Sequence, residues 1–367
     1  MREKGCSEEE ILSLLSIRKE KDTPYSRILS SMCTLPHPIA VKAHQMFIST
    51  NLGDPGLFCG TAELERMLIE RLGTLLGEPG AGGYATSGGT ESNIQALRIA
   101  SKLKNSKRPN VVMPDSAHFS FEKACDMLGL EVRSVPLDRE LRMDADRAAD
   151  LIDDDTVCMV AIAGTTEYGM VDPIGELSRI AAERDIFLHV DAAFGGLVLP
   201  FLENAPKFDF SLAGVSSISL DPHKMGMSTI PSGCLLVREP EVLELLNIQT
   251  PYLTVRQGYT LSGTRSGAPV AAALAVLDHL GCEGMRAMVR GCMKNTRRLI
   301  EGMETFGFPS PVQPDTNVAT FQCKNAPTGW KVSWTRQGHM RIVCMPHVDR
   351  SVIEAFLKDV SGKGPGE

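Results

Sequence analysis

Between residues 111 and 237 the chain alternates short apolar, often β-branched runs with runs whose apolar residues have helical spacing. The apolar runs predict strands, and the segments between them predict helices at 119–128 and 175–184. Strands that alternate with helices favour a mostly parallel sheet covered by helices on both faces, so the fold class is α/β. The predicted strands are 111–113, 132–135, 157–163, 186–190, 215–220 and 233–237.

The remaining chain predicts a mixture of helices and irregular segments. Ser7 and Glu10 form a capping box that opens an amphipathic helix through Lys19, whereas segment 32–60 is too rich in breakers for a long element. The further predictions are helices at 61–77, 94–103, 240–246, 268–280, 284–306 and 352–360, an irregular stretch at 247–263, strands at 318–322 and 340–345, and a frayed tail at 362–367.

Charge and cysteine usage exclude several classes of protein. The 38 basic and 45 acidic residues give a formal charge of −7, which disfavours a broad electrostatic surface for nucleic acid. None of the ten cysteines forms a C-x-x-C pair, a pattern typical of buried thiols in a reducing compartment and not of a disulfide framework or a zinc site. There is no signal-peptide segment and no apolar run of about 18 residues. We expect a cytoplasmic protein without a metal, membrane or nucleic-acid partner.

Two charged residues follow predicted strands and together suggest one cofactor, pyridoxal phosphate. A lysine after a strand is usually solvated, but Lys224 follows an apolar strand and His223, so we expect a desolvated amine with a lowered pKa that can carry the cofactor as a Schiff base. Asp191 could be an ordinary helix N-cap, but at the carboxyl end of a parallel strand it could instead hold the pyridine nitrogen protonated. Ala193 leaves room for a flat ring.

Three more polar residues follow strands or open a helix at the same expected edge. Ser87-Gly-Gly-Thr90 precedes a helix, where backbone N–H groups and the Thr90 hydroxyl could bind phosphate, although glycines before a helix are common. His118 could be structural, or its ring could stack on the cofactor opposite Ala193. Thr166 could donate a hydrogen bond to the ring's phenolic oxygen. Convergence of so many strand ends on one edge favours the cofactor interpretation.

The sequence resembles the group II pyridoxal-phosphate decarboxylases, and within them the archaeal tyrosine/aspartate decarboxylases, over nearly its whole length. The matching stretches are Ser87-Gly-Gly-Thr-Glu-Ser92, Ser116-Ala-His118, Gly164-Thr-Thr166, His189-Val-Asp-Ala-Ala193, Asp221-Pro-His-Lys224, Tyr252-Leu-Thr254, Gly263-Thr-Arg265 and Met340-Arg-Ile-Val-Cys-Met-Pro-His347. The resemblance implies a type I aminotransferase-like fold and an obligate homodimer with active sites at the interface. The expected units are an N-terminal segment with pocket loops (1–55), a large cofactor-binding domain (56–265), and a linking helix with a small C-terminal α+β domain (266–367).

The resemblance also implies roles for individual residues. Lys224 would be the Schiff-base lysine, Asp191 the pyridinium partner, His118 the stacking residue and Thr166 a contact to the ring substituents. The phosphate would be held by Gly89, Thr90, His223 and Thr264 of the partner subunit.

Two further residues would act on the substrate. Arg341 matches the position that holds the α-carboxylate of the substrate in glutamate decarboxylases, but it could also be a surface arginine on an edge strand. Tyr252 matches a mobile-loop tyrosine that protonates the substrate's α-carbon, or it is an ordinary loop tyrosine. His37, with Arg256 and Arg265, hints at a pocket for an acidic substrate, although these side chains are equally suited to phosphate, water or the partner subunit.

Asp221 has no assigned role. The aromatic amino acid decarboxylases have asparagine at its position, and a carboxylate would repel the cofactor's phosphate.

The function that follows is α-decarboxylation of an L-amino acid, either tyrosine to tyramine (methanofuran biosynthesis), aspartate to β-alanine (coenzyme A biosynthesis), or both. The alternatives are another pyridoxal-phosphate lyase or a cysteine desulfurase, or a cofactor-binding protein that has lost catalysis. A desulfurase usually has glutamine where this chain has Ala193. Four intact residues argue against lost catalysis, namely Lys224, Asp191, His118 and Arg341.

Overall fold

A seven-stranded sheet forms the centre of the computed structural model, which describes residues 1–362. The strands are β1 (Gly82–Thr86), β2 (Asn110–Pro114), β3 (Glu131–Val135), β4 (Thr156–Ile162), β5 (Phe187–Asp191), β6 (Val215–Leu220) and β7 (Gly233–Val237). Their order is β1-β7-β6-β5-β4-β2-β3, and β7 alone runs against the others. The mostly parallel sheet is confirmed. The pattern missed β1, because its two glycines weaken the strand signal.

Helices cover both faces of this sheet. They are α3 (Cys59–Leu75), α4 (Gly89–Leu103), α5 (Ser120–Leu128), α6 (Ala145–Leu151) and α7 (Ile174–Arg184), preceded in the chain by α1 (Glu8–Lys19) and α2 (Pro38–Phe47). Neighbouring residues of one strand point to opposite faces, and in β4 Met159 belongs to one apolar cluster while Cys158 and Val160 belong to another. Both faces of the sheet are therefore buried, as the continuous apolar runs indicate.

The N-terminal region contains one helix that the sequence did not predict. α1 begins with the expected capping box, in which Ser7 Oγ accepts a hydrogen bond from the Glu10 backbone N–H. Segment 32–60, in contrast, contains the ten-residue helix α2. The prediction was wrong because Pro38 occupies the first turn, where proline needs no hydrogen-bond donor, and His37 Nδ1 caps the helix by accepting from the Ile39 N–H.

The C-terminal part is a small α+β unit connected by a long helix. A 3-10 helix (Pro240–Leu246) and a two-stranded hairpin of β8 (Ile248–Gln249) and β9 (Gln257–Gly258) lead to α8 (Ala268–Thr305). α8 is interrupted at Gly281, with φ of 57°, which accounts for the two helices predicted there. β10 (Val318–Phe321), β11 (Ser333–Trp334) and β12 (Met340–Val343) form a second sheet in the order β10-β12-β11, followed by α9 (Arg350–Ser361). The predicted tail lies outside the described residues from 363 onward.

The described residues also bear on membranes, thiols and metals. Across residues 1–362, every helix is too short or too polar to cross a membrane. All ten cysteines are free thiols. Within the same residues, His, Cys, Asp and Glu side chains do not gather into a group of three that could hold a metal ion.

Candidate active site

A cavity of about 400 Å³ opens at the carboxyl edge of the large sheet. It is lined by side chains that follow β1, β2, β4, β5 and β6, which is where an open parallel sheet places its ligand. The structure brings eight of the predicted site residues to it, namely Gly89, Thr90, His118, Thr166, Asp191, Ala193, His223 and Lys224. Ser87 and Gly88 of the predicted phosphate-binding segment also line it, and the remaining lining residues, for which no role was predicted, are Met32, Asn93, Ser116, Ile162, Gly164, Phe194 and Asp221.

Lys224 lies beside Asp221 in the turn after β6. Its Nζ is 3.0 Å from Asp221 Oδ2, and the Asp221 side chain is almost completely buried. Burial by itself would lower the pKa of Lys224, but the negative charges of Asp221 and Asp191 outweigh this effect and raise it. The expectation of a lowered pKa for Lys224 was therefore wrong, because the sequence does not show that a carboxylate pairs with this lysine.

Asp191 ends β5 and is buried against α4. Its Oδ2 accepts a hydrogen bond of 2.9 Å from Asn93 Nδ2, and its Oδ1 accepts one of 3.0 Å from the Ala193 N–H. The second bond shows that the carboxylate also caps the following turn, so the capping interpretation and the cofactor interpretation are compatible. Asn93 Oδ1 in turn accepts from His189 Nε2 and Ser219 Oγ, both at 2.9 Å.

Asn93 is the main residue of the site that was not predicted from the sequence. It stands four residues after Gly89 on α4, one turn into the helix, and its side chain is buried. A buried amide on the first turns of a helix that opens at a cofactor site needs hydrogen-bond partners, and this requirement was the available signal.

His118 presents a neutral ring to the cavity. Burial lowers the pKa of His118. Its Nδ1 accepts from the Ser120 N–H and lies 2.9 Å from Ser120 Oγ, which itself accepts from Asn93. Ser120 Oγ therefore donates its hydrogen to Nδ1. Because Nδ1 accepts, the proton of the neutral imidazole is on Nε2. A hydrogen-bonded chain thus connects His118, Ser120, Asn93 and Asp191.

The start of α4 forms a close cradle at one end of the cavity. Gly88 has a φ of 151°, and a Cβ built there would come within 3.3 Å of the His223 ring. A Cβ on Gly89 would come within 3.1 Å of the Ala193 Cβ and 3.3 Å of Asp221 Oδ2. Side chains at both positions would fill the space next to the helix N-terminus, where an anion is favoured. The cradle, the buried carboxylate and the adjacent lysine fit pyridoxal phosphate.

Arg341, on β12, does not line the cavity itself but is bonded to Thr166, which does. Its Nη1 donates to the Thr166 carbonyl at 2.8 Å and its Nη2 to the Ser30 carbonyl at 2.6 Å, while Nε has no hydrogen-bond partner among residues 1–362. Burial lowers the pKa of Arg341 to about 10, so it stays charged at neutral pH. The alternative of a surface arginine on an edge strand is wrong, because β12 is the central strand and Arg341 is buried.

Several predicted residues lie away from the cavity of their own chain. His37 caps α2, and its ring is 5.2 Å from the ring of His279. Arg265 forms an ion pair with Glu65. Tyr252 is 84% exposed, and Thr264 and Arg256 are exposed as well. Within one chain, the structure therefore does not bring these residues together with Lys224.

Comparison with known proteins agrees with this geometry. A family described as "Pyridoxal-dependent decarboxylase conserved domain" matches residues 58–307. A protein of Methanoculleus marisnigri named "Probable L-tyrosine/L-aspartate decarboxylase" is 66% identical over 360 residues, covering 98% of this chain and 99% of the relative. A protein of Archaeoglobus fulgidus named "Probable L-aspartate decarboxylase" is 50% identical over 359 residues, covering 95% and 98%.

A solved structure shows the same fold. The sphingosine-1-phosphate lyase of Burkholderia pseudomallei superposes with a TM-score of 0.90 at 27% identity, covering 99% of this chain and 91% of the lyase. The predicted type I aminotransferase-like fold is confirmed. The chain belongs to the family of pyridoxal-dependent decarboxylases and is an amino acid decarboxylase that uses pyridoxal 5'-phosphate.

Proposed function

We propose that this decarboxylase acts on L-tyrosine, on L-aspartate, or on both, and so supplies tyramine for methanofuran or β-alanine for coenzyme A. The observation that carries the proposal is the 66% identity over 98% of the chain to a relative named for both substrates. A cysteine desulfurase, another lyase or an inactive protein is not favoured, because both relatives described above are named decarboxylases.

Different residues of the cavity bind different parts of the cofactor. Gly89, Thr90 and His223 bind the phosphate at the start of α4, and Thr166 and Ala193 contact the ring. Asp191 holds a proton on the ring nitrogen by charge proximity. When bound, pyridoxal phosphate supplies an electron-withdrawing ring that stabilises the charge left on the substrate's α-carbon as carbon dioxide departs.

Two more side chains act close to the ring. Lys224 holds the cofactor covalently through its Nζ until substrate arrives. His118 covers one face of the ring, and its neutral imidazole adds no second positive charge above the protonated pyridine.

Arg341 orients the substrate by binding its α-carboxylate. A guanidinium carries five N–H groups, and the carbonyls of Thr166 and Ser30 each take one from a different terminal nitrogen. The second hydrogen on each terminal nitrogen remains for a carboxylate, which the planar guanidinium can bind through both oxygens. Fixing the carboxylate selects the bond to the α-carbon that breaks.

The active enzyme is a homodimer in this proposal. Exposed apolar side chains support it, because α1 buries none of its residues although it carries Ile11, Leu12, Leu14, Leu15 and Ile17. The exposed Tyr252 and Thr264 then serve the site of the partner subunit, where Tyr252 protonates the α-carbon and Thr264 contacts the phosphate. His37 stays a candidate substrate contact in this assembly.

We also propose that the chain is divided into three units and is located in the cytoplasm. Residues 1–55 form the N-terminal segment, 56–265 the cofactor-binding domain and 266–367 the linking helix with the small domain. Ten free thiols support a reducing, cytoplasmic environment.

Carbon dioxide release from a panel of amino acids tests the substrate. The purified holoenzyme is incubated with tyrosine, aspartate and glutamate, and Lys224→Ala is the control for release that does not depend on the site. Release from tyrosine or aspartate, absent in Lys224→Ala, is expected. Release from glutamate alone contradicts the substrate proposal.

A further inference from the structure

Asp221 is a buried carboxylate that the functions described so far do not use. Its relative exposure is 2%, its Oδ2 lies 3.0 Å from Lys224 Nζ, and its Oδ1 makes no hydrogen bond within residues 1–362. A buried charge with an unsatisfied oxygen is costly unless an opposite charge is held close to it. The opposite charge nearest to it is the ammonium group of Lys224, and His223 Nε2 lies 3.9 Å from the same oxygen.

Other charged or titratable groups face Lys224 from every side of the cavity. Asp191 approaches from the end of β5, Cys33 from the N-terminal segment, and the neutral His118 from the loop after β2. Asp221 is the one among them at ion-pair distance, and it is placed by the same turn as the lysine. The pair is therefore fixed by local geometry and does not depend on the small domain.

The proton balance of substrate binding gives this pair a role. The substrate arrives as an ammonium ion, its nitrogen forms the C=N bond to the cofactor carbon, and the C=N bond to Lys224 breaks. The three hydrogens of the substrate ammonium end on Lys224, so the exchange conserves charge and needs no further reactant. The product of the exchange is a lysine ammonium 3.0 Å from Asp221.

We propose that Asp221 favours the ammonium form of Lys224 whenever the lysine is not linked to the cofactor, which slows a return attack by the lysine while substrate occupies the site. The inference rests on the proposed role of Lys224. An ammonium nitrogen has no lone pair and cannot attack a C=N or C=O carbon. Asp221 thereby favours the exchange that admits substrate and slows uptake of free cofactor by the cofactor-free protein.

Competitive acetylation of the cofactor-free protein tests the ion pair directly. Acetic anhydride is applied across a pH series, and the peptide containing Lys224 is quantified by mass spectrometry. In wild type, Lys224 should become reactive at a higher pH than the exposed lysines of the same digest, in spite of its burial. In Asp221→Asn, which keeps the size of the side chain, the onset should fall by about one pH unit or more, a roughly tenfold gain in reactivity at a pH below both onsets.

The rate of cofactor uptake provides the second readout. Cofactor-free Asp221→Asn should take up pyridoxal phosphate at neutral pH several times faster than wild type, in proportion to its larger fraction of neutral amine. Asp126→Asn, which removes an exposed carboxylate on α5, is the matched control and should behave as wild type.

Three outcomes overturn the proposal. In the first, wild type and Asp221→Asn have identical acetylation profiles. In the second, the acetylation of wild-type Lys224 begins at a pH equal to or lower than that of the exposed lysines. In the third, the acetylation onset of Lys224 shifts in Asp221→Asn but pyridoxal phosphate is not taken up faster. The second outcome is decisive even if Asp221→Asn does not fold. Borohydride reduction of the holoenzyme followed by peptide mapping tests the premise separately, because cofactor attached to another lysine would contradict the proposed function itself.

Discussion

Asn93 of α4 donates its side-chain amide to Asp191 of β5 across 2.9 Å, and the same side chain accepts hydrogen bonds from His189 and Ser219. One amide of α4 therefore connects the carboxylate proposed to hold the pyridine nitrogen to His189 on the same strand and to Ser219 on the neighbouring strand β6. Fixing the plane of that carboxylate fixes the place where a ring nitrogen can be bound.

Replacing Asn93 by alanine should weaken both the fold and the reaction. The change leaves two buried atoms, Asp191 Oδ2 and His189 Nε2, without a hydrogen-bond partner among residues 1–362, which should lower the free energy of unfolding by about 1–3 kcal/mol in urea titrations. It should also lower kcat, because Asp191 loses its orientation. Gln95→Ala is the matched control, since Gln95 is equally buried on α4 but donates to the Tyr259 carbonyl. Equal losses of kcat in both variants would contradict a positioning role for Asn93.

Arg341→Lys should affect substrates but not amine products. Lysine keeps the charge but loses the planar fork, so kcat/KM should fall about 10- to 100-fold, the equivalent of the roughly 1.5–3 kcal/mol of a hydrogen bond to a charged group. The inhibition constant of the product amine, which has no α-carboxylate, should not change. Weaker binding of the product by the same factor would show that Arg341 only maintains the pocket.

Mixed dimers should reveal whether Tyr252 acts in the partner's site. Lys224→Ala and Tyr252→Phe subunits are each expected to be inactive. If Tyr252 serves the partner's site, random mixing gives hybrids with one site that carries both changes and one site that carries neither. Activity should then recover to about one quarter of wild type. Absence of recovery, with hybrids verified by mass spectrometry, would place Tyr252 in its own subunit's site or outside catalysis.

His189 should make the stability of the fold depend on pH. Burial lowers the pKa of His189 to about 4, from an ordinary value of 6.5. Below pH 6.5 the imidazole of His189 is therefore protonated in the unfolded chain but stays neutral in the folded chain. The contribution of His189 to the free energy of unfolding is fully present above pH 6.5 and is lost as pH falls towards 4. The stability of wild type relative to His189→Asn should thus fall by about 3 kcal/mol between pH 6.5 and pH 4.

The comparison with His189→Asn is needed because Asp172 has the opposite effect. Burial raises the pKa of Asp172 to about 6, so its contribution to stability falls as pH rises from its ordinary value of 3.8 towards 6. Wild type alone combines both effects. A pH-independent difference between the two proteins would contradict a buried, neutral His189.

The cofactor side of the site could be predicted because its residues follow strands. Asp191, Lys224, His118 and Thr166 each come a few residues after an apolar run, and a parallel sheet brings such positions to one edge. The helix α2 and the strand β1 could not be predicted in the same way, because prolines and glycines mask their patterns.

The sequence did not predict the charge pairing at Lys224 or the contacts of Asn93. The pairing with Asp221 raises the pKa of Lys224, the opposite of the expected direction, and the contact between these two residues of one turn exists only in the folded chain. Asn93 sits on a helix whose burial pattern does not by itself show what a buried amide contacts.

The contacts of Arg341 join three segments that the ribosome synthesises at very different times. Residues 87–224 provide every strand-end group of the cofactor cavity, but the guanidinium bonds to the carbonyls of residues 30 and 166 exist only after residue 341 has been made. The groups that line the cofactor cavity are thus synthesised more than a hundred residues before the guanidinium that is proposed to orient the substrate's carboxylate. Within this chain, the residue proposed to select the bond that breaks is therefore synthesised after every residue proposed to hold the cofactor.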